Sequence, residues 1–165
     1  MRIRVFIALA AVALVSCKGG YSFTGGNVGD AKSIYVGFFD NNAQIVNPEM
    51  SQILTEAIKD IFVQQTSLQL NDGPSDMEVS GTIVEYSLKP QAARGPSEVA
   101  QMRFTISLQV DFMNRLVPDN DYSQRFSRTR DYGADLNFSD IETELSEEII
   151  SELTEDILNK AIANW

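Results

Sequence analysis

Residues 101–112 alternate without a break, with Met102, Phe104, Ile106, Leu108, Val110 and Phe112 set against Gln101, Arg103, Thr105, Ser107, Gln109 and Asp111. A period of two held over this length describes a β-strand with one dry face and one wet face. The dry face has to be covered, so the rest of the chain must supply a second layer.

Two segments are suited to that task. In the first, Asn47 can cap a helix and Pro48 suits its first turn, while Met50, Ile53, Leu54, Ala57, Ile58, Ile61 and Phe62 recur at helical spacing. The second opens with Ser139-Asp140-Ile141-Glu142, a capping-box pattern, and carries Ile141, Leu145, Ile149, Leu153, Ile157 and Ala161 toward the C-terminus.

Further strands surround them. Ser33 to Phe39 is apolar on both sides, which predicts a strand covered on both faces. Leu68 to Leu70 is a short strand, followed by the turn signal Asn71-Asp72-Gly73-Pro74 and a longer strand from Met77 to Lys89. In that longer strand the apolar phase moves from Met77, Val79 and Ile83 to Val84, Tyr86 and Leu88, which predicts a bulge near Ile83 and Val84. Pro118-Asp119-Asn120-Asp121 marks a turn, and Tyr122 to Tyr132 returns as a strand. The expected fold class is α+β: a two-layer sandwich with a mixed four- to five-stranded sheet and two helices on one face. It forms a single domain over 32–165, with no internal repeat.

The N-terminus has a different character. Arg2 and Arg4 precede an apolar run from Val5 to Val15, the layout of a secretory signal and too short to span a bilayer. The run ends in Leu14-Val15-Ser16-Cys17, which resembles the lipobox where lipoprotein signal peptidase cuts. Residues 1–16 are then a signal peptide and Cys17 carries a covalent lipid; a free buried cysteine is the alternative. A multiply acylated cysteine is a stable anchor, because each buried methylene contributes about 0.8 kcal/mol. Lys18 follows in place of the aspartate associated with retention at the inner membrane, which leans toward the outer one. Residues 17–31, with Gly19, Gly20, Gly25, Gly26 and Gly29, read as a tether, and its Tyr21 and Phe23 suggest that part of it packs on something.

Composition narrows the function. The chain has 13 basic and 23 acidic residues; without Arg2 and Arg4 the balance is 11 against 23, a net charge of −12, which argues against nucleic acid as a partner. With its one cysteine taken as the anchor, the domain has no disulfide. The absence of histidine and of a second cysteine removes the usual triad base and any thiolate or imidazole zinc site. Glu142, Glu144, Glu147, Glu148, Glu152, Glu155 and Asp156 crowd the last helix and read as a solvated face, since paired catalytic acids need a cleft that parts their pKa values. Asp119 and Asp121 lack the rest of a calcium loop and read as a plain turn. The expectation is no enzyme and no cofactor beyond the lipid.

One constellation is unusual. Pairing the strands around Pro118 with Phe112 opposite Tyr122 places Arg103 opposite Asp131, Thr105 opposite Thr129 and Ser107 opposite Ser127, so the wet faces match. Leu108 then meets Phe126, but Arg128 meets Ile106 and Arg130 meets Phe104 on the dry face. Either a bulge or the strand's position beyond the helices lets these arginines cover apolar surface with their heads in water, or they await a ligand that carries both acyl chains and phosphates. On the second account Arg128 and Arg130, with Arg125 on the same strand, are the candidate ligand-binding residues.

The sequence also resembles a family, the lipopolysaccharide-assembly lipoprotein LptE in the form found in Bacteroidetes-like bacteria. The residues that carry the resemblance are Cys17 followed by Gly20-Tyr21-Ser22-Phe23-Thr24-Gly25, then Ile34 to Phe39 with Asn41-Asn42, Val46-Asn47-Pro48 before Leu54-Thr55-Glu56-Ala57-Ile58-Lys59-Asp60, Ser80-Gly81-Thr82-Ile83, and the ending Asp156 to Trp165. The resemblance implies a two-helix, mixed-sheet domain that plugs the outer-membrane β-barrel LptD, assists its assembly and delivers lipopolysaccharide to the outer leaflet. It implies lipopolysaccharide as the ligand of the candidate arginines and the periplasmic face of the outer membrane as the location. The alternative is a structural or pilot lipoprotein of another envelope machine, with no lipid ligand.

Overall fold

The alternating segment is the middle of the sheet's antiparallel half. A computed structural model describes residues 28–45, 47–91 and 100–162. The expected signal peptide, Cys17 and most of the tether lie outside these residues. In chain order the elements are β1 (Ser33–Val36), β2 (Asp40–Asn41), α1 (Met50–Gln65), β3 (Gln69–Leu70), β4 (Met77–Gln91), β5 (Gln101–Asn114), β6 (Tyr122–Gly133) and α2 (Phe138–Ile162), with a 3-10 turn at Pro118–Asn120 before β6. The sheet order is β3-β1-β4-β5-β6, with β2 paired to β4 off that path. β1 is parallel to β3 and β4, whereas β5 is antiparallel to its two neighbours, β4 and β6. The result is the expected α+β sandwich: a mixed sheet, both helices on one face and the other face open.

The register of β5 against β6 is the one that matching wet faces predicts. Phe112 pairs with Tyr122, Leu108 with Phe126, Arg103 with Asp131, Ile106 with Arg128 and Phe104 with Arg130. The bulge in β4 is also where the phase change places it, since Ile83 pairs with Leu108 and Glu85 with Ser107, which leaves Val84 as the extra residue. The bulge brings Val79, Ile83 and Tyr86 onto one buried face despite their mixed parity.

That face meets the helices in one continuous core. Ile34, Val36 and Phe39 from the first strand region, Phe104, Ile106, Leu108 and Val110 from β5, Leu54, Ile58 and Phe62 from α1, and Ile149, Leu153 and Ile157 from α2 are all buried in it. Each such side chain contributes about 1.5–3 kcal/mol on burial. α2 buries more than its expected stripe, because Ile150, Leu158, Ser146 and Thr154 join it. The core also reaches back to Val28 and Ala31.

Several local expectations are corrected. The strand from Ser33 to Phe39 is not covered on both sides. It leaves the sheet after Val36 and resumes as β2, and Phe38 is 58% exposed. Gly81 explains the detour: its missing Cβ would stand 2.6 Å from the Phe39 ring and 2.4 Å from the Gln109 carbonyl, so Phe39 crosses β4 where no side chain stands. Asn47 and Pro48 belong to a turn before α1, in which Asn47 Oδ1 accepts from the Glu49 N–H at 3.0 Å. α1 begins at Met50, and Ile53 on its outer side is exposed. α2 begins one residue ahead of its expected capping box. Asn137 serves the first turn, accepting from Ser139 N through its side chain and from Asp140 N through its carbonyl. Glu142 is thereby released to bond the Tyr86 hydroxyl and Asn47 Nδ2.

Candidate functional site

The three arginines singled out in the sequence share β6 but not a face. Arg128 and Arg130 pair with Ile106 and Phe104, which places them on the helix-covered side. Arg125 pairs with Gln109 and stands on the open side. β6 is an edge strand. Its helix-side residues therefore lie at the rim of the core, where a long side chain can cover apolar surface and still reach a charged partner.

The partners are on α2. Arg128 grips Asp156 with two hydrogen bonds, from Nε at 2.7 Å and Nη2 at 2.6 Å. Arg130 donates from Nε to Glu148 at 2.6 Å and from Nη2 to Glu152 at 2.6 Å, and its Nη1 reaches the Thr129 carbonyl at 3.0 Å. The fit follows from two repeats: alternate strand residues are about 6.7 Å apart and helix residues four apart are about 6 Å apart, so two arginines match a stripe of three acids. No bulge turns these guanidiniums away; at the strand edge they remain part-exposed, Arg128 at 42% and Arg130 at 26%. Three acids of the crowded last helix, Glu148, Glu152 and Asp156, pair with them as a clasp between α2 and β6 while keeping 48%, 42% and 31% of their side chains in solvent. The ion pairs hold Arg128 and Arg130 firmly protonated, through Asp156 and Glu152 respectively, and the Arg130 bond holds Glu152 below its ordinary pKa.

On the open face, Arg125 Nη2 bonds Glu85 at 2.7 Å, and Lys89 reaches the same carboxylate at 2.8 Å. Glu85 also accepts from Ser87 and Ser107, and these donors, led by Lys89, hold it below its ordinary pKa. Beneath this cluster Ser107 is fully buried on the nominally wet side of β5, with its hydroxyl 2.9 Å from Ser127 Oγ. Nearby, Arg103 grips Asp131 in a two-pronged pair with both contacts at 2.6 Å. The open face is thus a field of hydroxyl and amide groups, including Ser80, Thr82, Gln109, Ser123 and Thr129, with self-neutralised charge pairs set into it.

A third feature had no sequence signal. Tyr86 from β4, Asn47 from the turn before α1 and Glu142 from α2 meet at one carboxylate. Burial first, then the bond to Glu142, pushes the Tyr86 hydroxyl up to about 12. A groove beside it is lined by Ile45, Pro48, Leu88 and Phe138. Among the described residues no group of three histidine, cysteine, aspartate or glutamate side chains is placed to hold a metal.

With this geometry in view, the family model for lipopolysaccharide-assembly LptE matches residues 31–161. The chain belongs to the LptE family. LptE proteins are non-enzymatic lipoproteins that need no cofactor. No curated protein matches the sequence. Among solved structures, lipoprotein B from Nitrosomonas europaea is similar at 11% identity and a TM-score of 0.52, covering 81% of this chain and 83% of that one. A minor lipoprotein from Acinetobacter baumannii is 14% identical with a TM-score of 0.49, covering 81% and 94% of the two chains. The rare lipoprotein B from Shewanella oneidensis is 13% identical with a TM-score of 0.49, covering 76% and 91%. At 11% identity the likeness to the Nitrosomonas europaea protein is one of fold.

Proposed function

We propose that this LptE-family chain is the outer-membrane lipoprotein subunit of the complex that inserts lipopolysaccharide. In this reading it is anchored by lipid on Cys17 at the periplasmic face, plugs the LptD β-barrel, assists its assembly and passes lipopolysaccharide toward the outer leaflet. The observation that carries the reading is the family match over residues 31–161. The open sheet face adds support, because its hydroxyls and paired charges suit the polar interior of a barrel better than they suit a hydrocarbon surface. Arg125, Arg128 and Arg130 are the proposed contacts for the phosphates of lipopolysaccharide. Arg125 is reached from the open face directly, whereas Arg128 and Arg130 must exchange their α2 carboxylates for phosphate oxygens.

The test is to tag the C-terminus, extract outer membranes in mild detergent and identify what copurifies. A large β-barrel in equal amount together with lipopolysaccharide is the expected result, and recovery without either would refute the proposal. Replacing Arg125, Arg128 and Arg130 by glutamine then checks the lipid site, where unchanged lipopolysaccharide affinity would remove these residues from it. One observation favours a second reading, a structural or pilot lipoprotein of another envelope machine with no lipid ligand: all three arginines are already ion-paired within the domain.

A further inference from the structure

β6 spans 12 residues and has a neighbouring strand, β5, on one side only. Its hydrogen-bonding phase is fixed just past its end, where Ala134 N donates to the Ala100 carbonyl at 2.9 Å. Every second residue counted back from Ala134 therefore bonds β5, while Ser123, Arg125, Ser127 and Thr129 turn their backbone N–H and C=O groups outward. Arg115 N, which donates to the carbonyl of Asp76 just ahead of β4, gives the same phase from the other edge of β5. Among the described residues, the outward groups from Ser123 to Thr129 meet one partner, Arg130 Nη1 on the Thr129 carbonyl at 3.0 Å.

Long edge strands are normally closed by proline, by a bulge or by charged side chains that guard the edge. From Tyr122 to Tyr132 there is no proline, and the ladder with β5 runs without a register shift. The charged side chains lean inward instead of guarding the edge. Arg125 crosses β5 to reach Glu85 on β4, Arg128 and Arg130 reach up to α2, and Asp131 turns to Arg103. The hydroxyls of Ser123 and Ser127 likewise meet Gln109 and Ser107 on β5. An open run of backbone is left between two faces whose side chains are already engaged.

The flank above the edge states what fits it. The clasp holds α2 over β6, and Glu148 and Glu152 stay nearly half exposed there. A strand added about 4.8 Å outside β6 sets alternate side chains beside those carboxylates, where basic residues are favoured. A second copy of the chain is not suited, because two β6 edges paired antiparallel bring two acidic α2 flanks side by side on one face, like charge against like. We propose that the outer edge of β6 accepts an extended segment of the β-barrel partner as an added strand. The segment bonds the backbone of Ser123, Arg125, Ser127 and Thr129 and carries lysine or arginine at alternate positions toward α2. This rests on the reading that the domain sits within a barrel, and it leaves both faces of the sheet as they are.

The experiment compares the full-length protein purified from membranes with its barrel and the same protein overproduced alone, by residue-resolved hydrogen–deuterium exchange. The expected result is exchange about tenfold or more slower in the complex at the amides of Ser123, Arg125, Ser127 and Thr129, with little change at the intervening amides that β5 already holds. Thr129→Pro removes one outward donor without breaking the β5 ladder and should cut barrel recovery about tenfold, whereas Thr129→Ser should leave it unchanged. Gln124→p-benzoylphenylalanine, at an exposed position of the same strand, should photo-crosslink to a barrel peptide with basic residues at alternate positions; a captured peptide without them overturns the stated chemistry. Equal exchange at the four amides, in a preparation that holds the barrel in equal amount, overturns this proposal and leaves the barrel reading standing, even where Thr129→Pro fails to fold. A preparation without a barrel overturns both.

Discussion

Tyr86→Phe isolates the junction at which β4, the turn before α1, and α2 meet. The Tyr86 ring is 2% exposed and packs edge-on against Phe104 at 4.8 Å between centroids. Phenylalanine keeps that packing and leaves no cavity. What is lost is one hydrogen bond to a carboxylate, and bonds to charged groups contribute about 1.5–3 kcal/mol. Glu142 retains Asn47 Nδ2 at 3.0 Å, so its carboxylate is not orphaned and the expected loss is about 2 kcal/mol. For a domain of this size that lowers Tm by roughly 6–10 °C.

The pH dependence gives an independent check. The folded-state pKa of Tyr86 is raised from 10.0 to about 12, so the protonated hydroxyl stabilises the fold fully below pH 10. That contribution drains away as the pH rises toward 12. The hydroxyl borders a groove lined by Ile45 and Leu88, and solvent there screens part of the effect, so a pH-linked loss of about 2 kcal/mol is the upper end. Urea unfolding followed by circular dichroism at pH 7 and pH 11, on wild type and variant, should find a gap at pH 7 that narrows at pH 11. In a Glu142→Gln background the hydroxyl donates to a neutral amide oxygen, and the cost of Tyr86→Phe should fall to about 1 kcal/mol. A pH 7 gap below about 0.3 kcal/mol, or an equal gap in both backgrounds, would refute the assignment of the bond as a charge-assisted link.

Other perturbations probe separate parts of the molecule. Gly81→Ala places a methyl group 2.4 Å from the Gln109 carbonyl and should cost about 1–3 kcal/mol or more through overpacking; an unchanged urea midpoint would mean that Phe39 does not cross there. Asp76 accepts from Lys32 N at 2.8 Å and from Ser33 N and Oγ at 3.1 Å. These bonds, led by the Lys32 N–H, hold its pKa below 3.8, so its stabilisation is full above that pH and is lost as the pH falls through the lowered value. Asp76→Asn should therefore be less stable than wild type at neutral pH and converge with it in acid, whereas a constant difference would exclude the linkage. Arg128→Gln with Arg130→Gln should loosen the middle turns of α2, from Glu148 to Asp156, from β6, raise amide exchange there and lower the urea midpoint modestly. That loss should shrink in about 1 M salt; a salt-independent loss would point to packing by the arginine stems instead.

The candidate site was legible in part. The pairing of Arg128 with Ile106 and Arg130 with Phe104 was readable because β-strand periodicity and matched wet faces allow one register around the Pro118 turn. What received the guanidiniums was not readable, because Glu148, Glu152 and Asp156 follow β6 by about one helix length and nothing in their order states which side of α2 faces the strand. The Tyr86–Asn47–Glu142 junction joins residues 39 to 95 positions apart and left no trace in local pattern. The capping-box spacing at Ser139 pointed to another role for Glu142, and the tertiary contact overrode it.

By itself the sequence determined the elements that local periodicity encodes: the unbroken alternation of β5, the bulge at Val84, the apolar stripes of α1 and α2, and hence a sheet with one face buried under two helices. These survive because side-chain spacing of two or 3.6 residues decides which atoms can leave water together. Only the tertiary structure decided that Phe39 crosses over Gly81, that the strand begun at Ser33 breaks and resumes as β2, and that Arg128 and Arg130 are spent as a clasp on α2. Each of these depends on distances between segments far apart in the chain, and those distances exist only after the core has brought the segments into contact.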